Sequence, residues 1–158
     1  MKIDKHILAQ RMDVFQRVCA EHAFRATPQR LAIYRELARS ADHPSAEAVH
    51  KRVVRHLPTV TLDTVYRTLA KLEEIGLVVR VSVVGSFMRF EVNAEHHHHF
   101  VCRRCGVIHD VFLEAVDHTR FASDLPKGCV ADWVQVELRG TCPRCAAGNK
   151  ETAAPSSV

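Results

Sequence analysis

Along the first half of the chain, apolar residues recur every three or four positions; past residue 77 the interval shortens to two. Ile7, Leu8, Met12, Phe15 and Cys19 share one face of a helix expected over residues 4–23. Thr27-Pro28 reads as an N-cap followed by a proline suited to the first helical position, so a second helix starts there and buries Leu31, Tyr34 and Leu37. Ser40 to Pro44 breaks it, because Pro44 disfavours helical geometry at His43. A third helix is expected from Ser45 to His56, burying Val49 and Val53 ahead of Pro58. Thr61 caps a fourth, with Asp63 favourable in its first turn. Leu62, Val65, Leu69 and Leu72 form its apolar stripe, and Gly76 stands where a C-terminal cap belongs.

Two β-branched stretches follow, Leu77 to Val84 and Phe87 to Val92, with Gly85-Ser86 between them as a two-residue hairpin turn. Helices joined by a short turn and then a hairpin make a winged helix-turn-helix, expected over residues 1–84 with the wing continuing to about residue 92. Residues 93–147 read as an α/β unit. There, Phe100 to Phe112 is strand-like apart from a cysteine turn, Glu114 to Leu125 suits a helix, and Val130 to Leu138 alternates as a strand. The tail Ala146 to Val158 is small and polar, and residues 148–158 are expected to be disordered. The class is α+β.

Composition narrows the setting. A chain of 158 residues with 47% hydrophobic and 25% charged residues builds a true core, and no apolar run approaches the ~20 residues of a membrane span. Met1 to His6 is polar and lacks the apolar stretch of a secretion signal, so the expected compartment is the cytosol. Cysteine there more often binds metal than forms disulfides. Charge is uneven: residues 1–84 hold 14 Lys and Arg against 9 Asp and Glu, whereas residues 85–158 hold 8 against 9. A basic first half suggests a polyanion partner. On the fourth helix, Thr64, Arg67, Thr68 and Lys71 lie opposite the apolar stripe with Tyr66 at its border. Short hydroxyls and long cations on one face suit the major groove of double-stranded DNA, although a solvated basic face has the same pattern.

The second half concentrates metal-binding chemistry: five of six Cys and six of eleven His lie between His96 and Cys145. Cys102-x-x-Cys105 and Cys142-x-x-Cys145 are paired knuckles, and four thiolates with no open position describe structural zinc. Cys19 and Cys129 read as small hydrophobes. In the run His96 to His99, His97 and His99 share a face if the segment is extended, while His96 and His98 point away. Two imidazoles bind a divalent ion weakly, so Glu91 and Asp110 are candidates to join them. HExxH, Walker A and GxGxxG sequences are lacking, no catalytic residue is assigned, and an enzyme is not expected.

Taken in order, Arg25-x-Thr27-Pro28-Gln29-Arg30, His43-Pro44-Ser45-Ala46-Glu47, Thr64-Val65-Tyr66-Arg67-x-Leu69, Gly76-Leu77-Val78, Arg89-Phe90-Glu91, the His96 to His99 run and the two Cys-x-x-Cys units resemble the ferric uptake regulator family over roughly residues 5–147. The resemblance implies a homodimer whose C-terminal domain dimerises. It also implies a metal-responsive transcriptional repressor that binds AT-rich inverted repeats, with Arg25 joining the fourth-helix face at the DNA. Carried over by position, the regulatory Fe(II) or Mn(II) site falls on His43, Glu91, His97, His99 and Asp110. Many iron sensors of the family have a further site whose ligands match His96, His98 and Asp117 together with a His where this chain has Val134. Val134 and Asp110 point to the peroxide-sensing branch, in which bound Fe(II) reacts with peroxide and a His ligand is oxidised. Glu91 matches the iron sensors instead, which keeps an iron- or manganese-sensing repressor as the alternative. Two readings from other classes are a zinc-stabilised winged-helix protein whose His run senses nothing and a metalloenzyme with an open coordination position.

Overall fold

The structure is a computed structural model that describes residues 3–81, 88–92, 97–113, 125–131 and 134–148. The chain divides into two compact units, Met1–Ala94 and Glu95–Val158.

The first unit opens with four helices, α1 (Lys5–Glu21), α2 (Pro28–Ala38), α3 (Ala46–Val53) and α4 (Leu62–Glu74). Each starts on a side chain that accepts an otherwise unpartnered amide: Asp4 from His6, Thr27 from Arg30, Ser45 from Ala48 and Thr61 from Thr64. Pro28 occupies the first turn of α2, as its fixed φ favours. α4 ends on Gly76, which takes a left-handed φ of 74°. The amides of Leu77 and Gly76 then return to the carbonyls of Leu72 and Glu73 at 2.8 and 3.0 Å, the paired bonds of a Schellman cap.

These helices bury one continuous core. Phe15 of α1 stacks on Tyr34 of α2 with ring centroids 4.4 Å apart, and Leu37, Val49, Val53, Val65, Leu69 and Leu72 pack into the same cluster with Val78 and Phe90. The Tyr34 hydroxyl, inside the core, donates to the Arg11 carbonyl at 3.0 Å. Burial, moderated by nearby Arg11, pushes that phenol up to about 12. Three expectations shift in detail. Ile7, placed on the buried face of α1, is 42% exposed, while its neighbours Leu8 and Met12 pack against the core. α3 stops at Val53, short of His56, where the Leu57 amide closes back on the Val53 carbonyl at 2.9 Å. Thr68 is buried at 4% exposure and does not face outward. At ~100° per residue it lies about 40° from Leu72 on the helical wheel, so it borders the apolar stripe.

Behind α4, β1 (Val79–Val81) pairs antiparallel with β2 (Arg89–Glu91). The register sets Val81 opposite Arg89, one residue away from the Val81–Phe90 pairing that an unbroken ladder closed by a two-residue turn requires. The expected turn at Gly85-Ser86 lies outside the described residues.

The second unit contains a three-stranded sheet in the order β4-β3-β5, made of β3 (His98–Cys102), β4 (Ile108–Val111) and β5 (Glu137–Gly140). β3 pairs antiparallel with β4 and parallel with β5. A short helix, α5 (Pro143–Ala146), follows. The strand expected from Val130 forms later, at Glu137, and Val130 is 86% exposed; its alternation carried the period but not the place where β3 offers a free edge. The helix expected over Glu114 to Leu125 and the tail beyond Gly148 lie outside the described residues. Among those residues, no helix is long and apolar enough to cross a membrane.

The Phe15–Tyr34 stack predicts a graded stability series. Phe15→Ala lowers unfolding free energy by about 3–5 kcal/mol through the cavity it leaves, whereas Tyr34→Phe, which loses one hydrogen bond, costs about 1 kcal/mol. Urea titration followed by circular dichroism measures both.

Candidate functional site

Three clusters of functional side chains stand out among the described residues, and each follows from local structure. The first is the cysteine centre. β3 ends on Cys102, and the next three residues turn tightly through Cys105 to Gly106, whose φ is 69°. The Gly106 amide donates to the Cys102 carbonyl at 2.9 Å, which closes the knuckle. The parallel pairing of β3 with β5 sets Cys102 opposite Gly140, so the chain leaving β5 delivers Cys142 and Cys145 alongside. A Cβ at Gly140 would stand 2.8 Å from the Phe100 ring, so any side chain there would displace that ring.

The four sulfurs lie within 4.8 Å of one another, and those of Cys105 and Cys142 are 3.7 Å apart. Tetrahedral zinc with Zn–S bonds of about 2.3 Å needs sulfurs roughly 3.8 Å apart, so the donor set fits zinc. None of the four is in a disulfide. Burial opposes ionisation of Cys102, yet the amides of Cys142, Cys105 and Arg104 point at its sulfur and bring the thiol down to about 6. Burial and the sulfurs of Cys105, Cys142 and Cys102 push Cys145 up to about 12. Four crowded thiols therefore resist carrying four negative charges together, a conflict that a dication at their centre removes.

The second group of side chains comprises nitrogen and oxygen donors, taken unit by unit. In the first unit, His43 Nε2 and Glu91 Oε2 are 3.0 Å apart, and both residues are buried. His43 takes a left-handed φ of 45° immediately before Pro44. Its segment is held from two sides. The Phe90 amide donates to the Pro44 carbonyl at 3.1 Å, and Arg52 of α3 donates to Ser40 and Asp42. Burial of Asp42 opposes ionisation, but the Arg52 guanidinium outweighs it and holds the carboxyl below its ordinary range.

In the second unit, His97 and His99 turn their Nε2 atoms toward each other at 3.1 Å, as alternation along an extended segment requires. Asp110 stands directly across the ladder from His99, its Oδ1 3.8 Å from His97 Nε2. His98 faces the other way, where its Nδ1 accepts from the Val136 amide at 3.2 Å. His96 and Asp117 lie outside the described residues. Sequence reasoning missed Gln135, whose side-chain nitrogen is 2.8 Å from His99 Nδ1; a lone amide in an alternating stretch gives no signal of a partner 36 positions away.

The third cluster is a groove of about 580 Å³ in the first unit, lined by Arg25, Gln29, Arg30, Thr64, Arg67 and Lys71, with buried Thr68 at its floor. Four cations and no carboxylate line it, a charge pattern suited to a polyanion. Gln29 and Arg30 belong to the motif that carries the resemblance, but the sequence alone does not place them with the DNA-facing residues. They arrive because the Thr27-Pro28 cap places them in the first turn of α2, and the Arg30 guanidinium sits 4.3 Å over the Phe24 ring. Tyr66, at the border, gives its hydroxyl to Glu47 and remains 40% exposed.

A helix-turn-helix with a wing and a basic groove, joined to a unit built around a four-cysteine centre, defines a metal-binding regulator of the winged-helix class. The profile of the ferric uptake regulator family matches residues 21–127. The peroxide-responsive repressor PerR of Staphylococcus epidermidis is 30% identical over 121 residues, covering 77% of this chain and 81% of that protein. Among solved structures, the Campylobacter jejuni peroxide stress regulator superposes with a TM-score of 0.65 at 29% identity, over 82% of this chain and 98% of that one. The Helicobacter pylori ferric uptake regulator gives 0.73 at 20% identity, over 92% and 97%, a likeness of fold. The chain belongs to the ferric uptake regulator family, whose members are metal-dependent transcriptional repressors.

The cysteine geometry predicts a selective loss of metal. Cys142→Ser is expected to abolish zinc binding and lower the thermal midpoint, whereas Cys129→Ser, at an exposed cysteine outside the cluster, is expected to retain zinc. Zinc per chain by atomic emission, read beside a melting curve, tests both.

Proposed function

We propose that the protein is a metal-dependent repressor whose hold on DNA is released by hydrogen peroxide. Cys102, Cys105, Cys142 and Cys145 hold structural zinc in this reading, and His43, Glu91, His97, His99 and Asp110 form the regulatory site for Fe(II) or Mn(II). The observation that carries it is the His97–His99–Asp110 cluster. It is a nitrogen and oxygen donor set without sulfur, which suits Fe(II) and Mn(II) and leaves the soft thiolates to zinc. The peroxide-responsive relative at 30% identity supports the finer assignment.

Metal ligands drawn from both units give the mechanism its switch. His43 and Glu91 belong to the unit that carries the basic groove, and His97, His99 and Asp110 belong to the other. One ion held by all five residues favours a single arrangement of the two units, and DNA that selects the same arrangement raises metal affinity in return. Fe(II) held by these residues would supply the redox chemistry that cleaves hydrogen peroxide, one oxygen entering an imidazole carbon and the other leaving as water. A His oxidised in this way would be a poorer ligand, and the shared arrangement would be lost. A homodimer reading an inverted repeat completes the picture, with Arg25, Thr64, Tyr66, Arg67 and Lys71 toward the operator. Phe112 and Leu138, 65% and 41% exposed, offer apolar surface in the second unit for a second copy. Glu91 favours the second reading, an iron- or manganese-sensing repressor with no peroxide response, because its longer arm matches the iron sensors of the family.

Peptide mass spectrometry of the Fe(II)-loaded protein after a brief stoichiometric peroxide exposure separates the two. One added oxygen on the peptides carrying His43 or His97 to His99, together with lost operator binding, is the expected result; unmodified peptides and retained binding favour the second reading. For the groove, Arg67→Ala weakens operator binding and lowers the salt slope by about one, as loss of a single phosphate contact does. Fluorescence anisotropy across a salt series measures it.

A further inference from the structure

His99 is 1% exposed, and the chain before β5 fixes both its backbone and its ring. Its amide donates to the Val136 carbonyl at 3.1 Å, and the β3–β5 register pairs it with Glu137. Gln135, just ahead of that pairing, places its side-chain amide 2.8 Å from His99 Nδ1. The other ring nitrogen, Nε2, lies 3.1 Å from His97 Nε2. A neutral imidazole carries one proton, so the partner of Nδ1 decides whether Nε2 presents a proton or a lone pair.

We infer that Gln135 is a positioning residue that selects the tautomer of His99 and so tunes how tightly the His97–His99–Asp110 cluster takes a divalent first-row cation, an inference that rests on the metal-site reading above. As an N–H donor to Nδ1, the amide leaves the proton on Nε2, where it bridges to His97. A cation needs the Nε2 lone pair, which moves the proton to Nδ1 and calls for an acceptor there. Glutamine meets both demands from one position, because a half-turn about its terminal torsion exchanges N–H for carbonyl, and that torsion is soft. A carboxylate only accepts and holds the ligating tautomer permanently; an aliphatic side chain supports neither. Outer partners of this kind fix ring orientation and raise ligand basicity.

The test uses the full chain with its structural zinc in place, labelled with ¹⁵N-histidine, and Mn(II) as the probe. Long-range ¹H–¹⁵N spectra report the His99 tautomer before Mn(II) is added, and a Mn(II) titration gives the affinity. Gln135→Leu is expected to weaken Mn(II) binding by about tenfold. Gln135→Glu is expected to show the Nδ1–H tautomer without Mn(II) and to bind at least as tightly as the wild type. Should Gln135→Leu fail to fold, the Gln135→Glu tautomer and affinity still decide the matter. Gln135→Leu binding as the wild type does, or Gln135→Glu weakened with an unchanged tautomer, overturns the inference and reduces Gln135 to a tie between segments. If His97→Ala also leaves Mn(II) affinity unchanged, or the wild type binds no Mn(II), the site reading itself falls and the inference with it.

Discussion

The parallel pairing of β3 with β5 is the contact on which the second unit depends. It joins residues 98–102 to residues 137–140, distant in sequence, and the resulting register does three things at once. It sets Cys102 opposite Gly140, so the two cysteine knuckles meet. It brings Gln135 and Val136 against His99 and His98. It also leaves the other edge of β3 to β4, which carries Asp110 across from His99. Among the described residues of this unit the buried apolar side chains are Val101, Cys102, Ile108 and Cys142. Four thiolates closed on one ion would tie the two knuckles together across this pairing, in the manner of other small metal-stabilised domains.

The first unit rests on different physics. Three of its four described helices have 13 residues or fewer, and α3 has only eight, too few to persist without packing. They persist because each buries a stripe into the Phe15–Tyr34 cluster and each has its first amides capped. That rigidity serves the groove, since α2 and α4 fix Arg30, Arg67 and Lys71 on its walls. Arg52 extends the same order to the His43 segment through Ser40 and Asp42.

What the sequence made legible was local. The caps at Thr27, Ser45 and Thr61, the periodic stripes, the Gly76 terminus, the paired Cys-x-x-Cys units and the shared face of His97 and His99 all depend on neighbours a few positions away. The features that escaped depend on partners far off. Thr68 looked exposed until the angular width of the core around Leu72 was known. β5 could not be placed by alternation, because its start is set by where β3 offers hydrogen bonds. Arg30 and Gln135 are ordinary polar residues whose roles appear only when Phe24 and His99 are set beside them.

The backbone at His43 also limits what can be exchanged there. With φ at 45° before a proline, the position tolerates the few residue types that adopt left-handed geometry at modest cost, chiefly asparagine, aspartate, histidine and glycine. In the proposed site, a drift in metal preference at His43 would therefore be channelled toward a short carboxylate or amide. β-Branched side chains are excluded before coordination chemistry has any say, so here the polypeptide backbone chooses the alphabet from which a new sensor can be spelled.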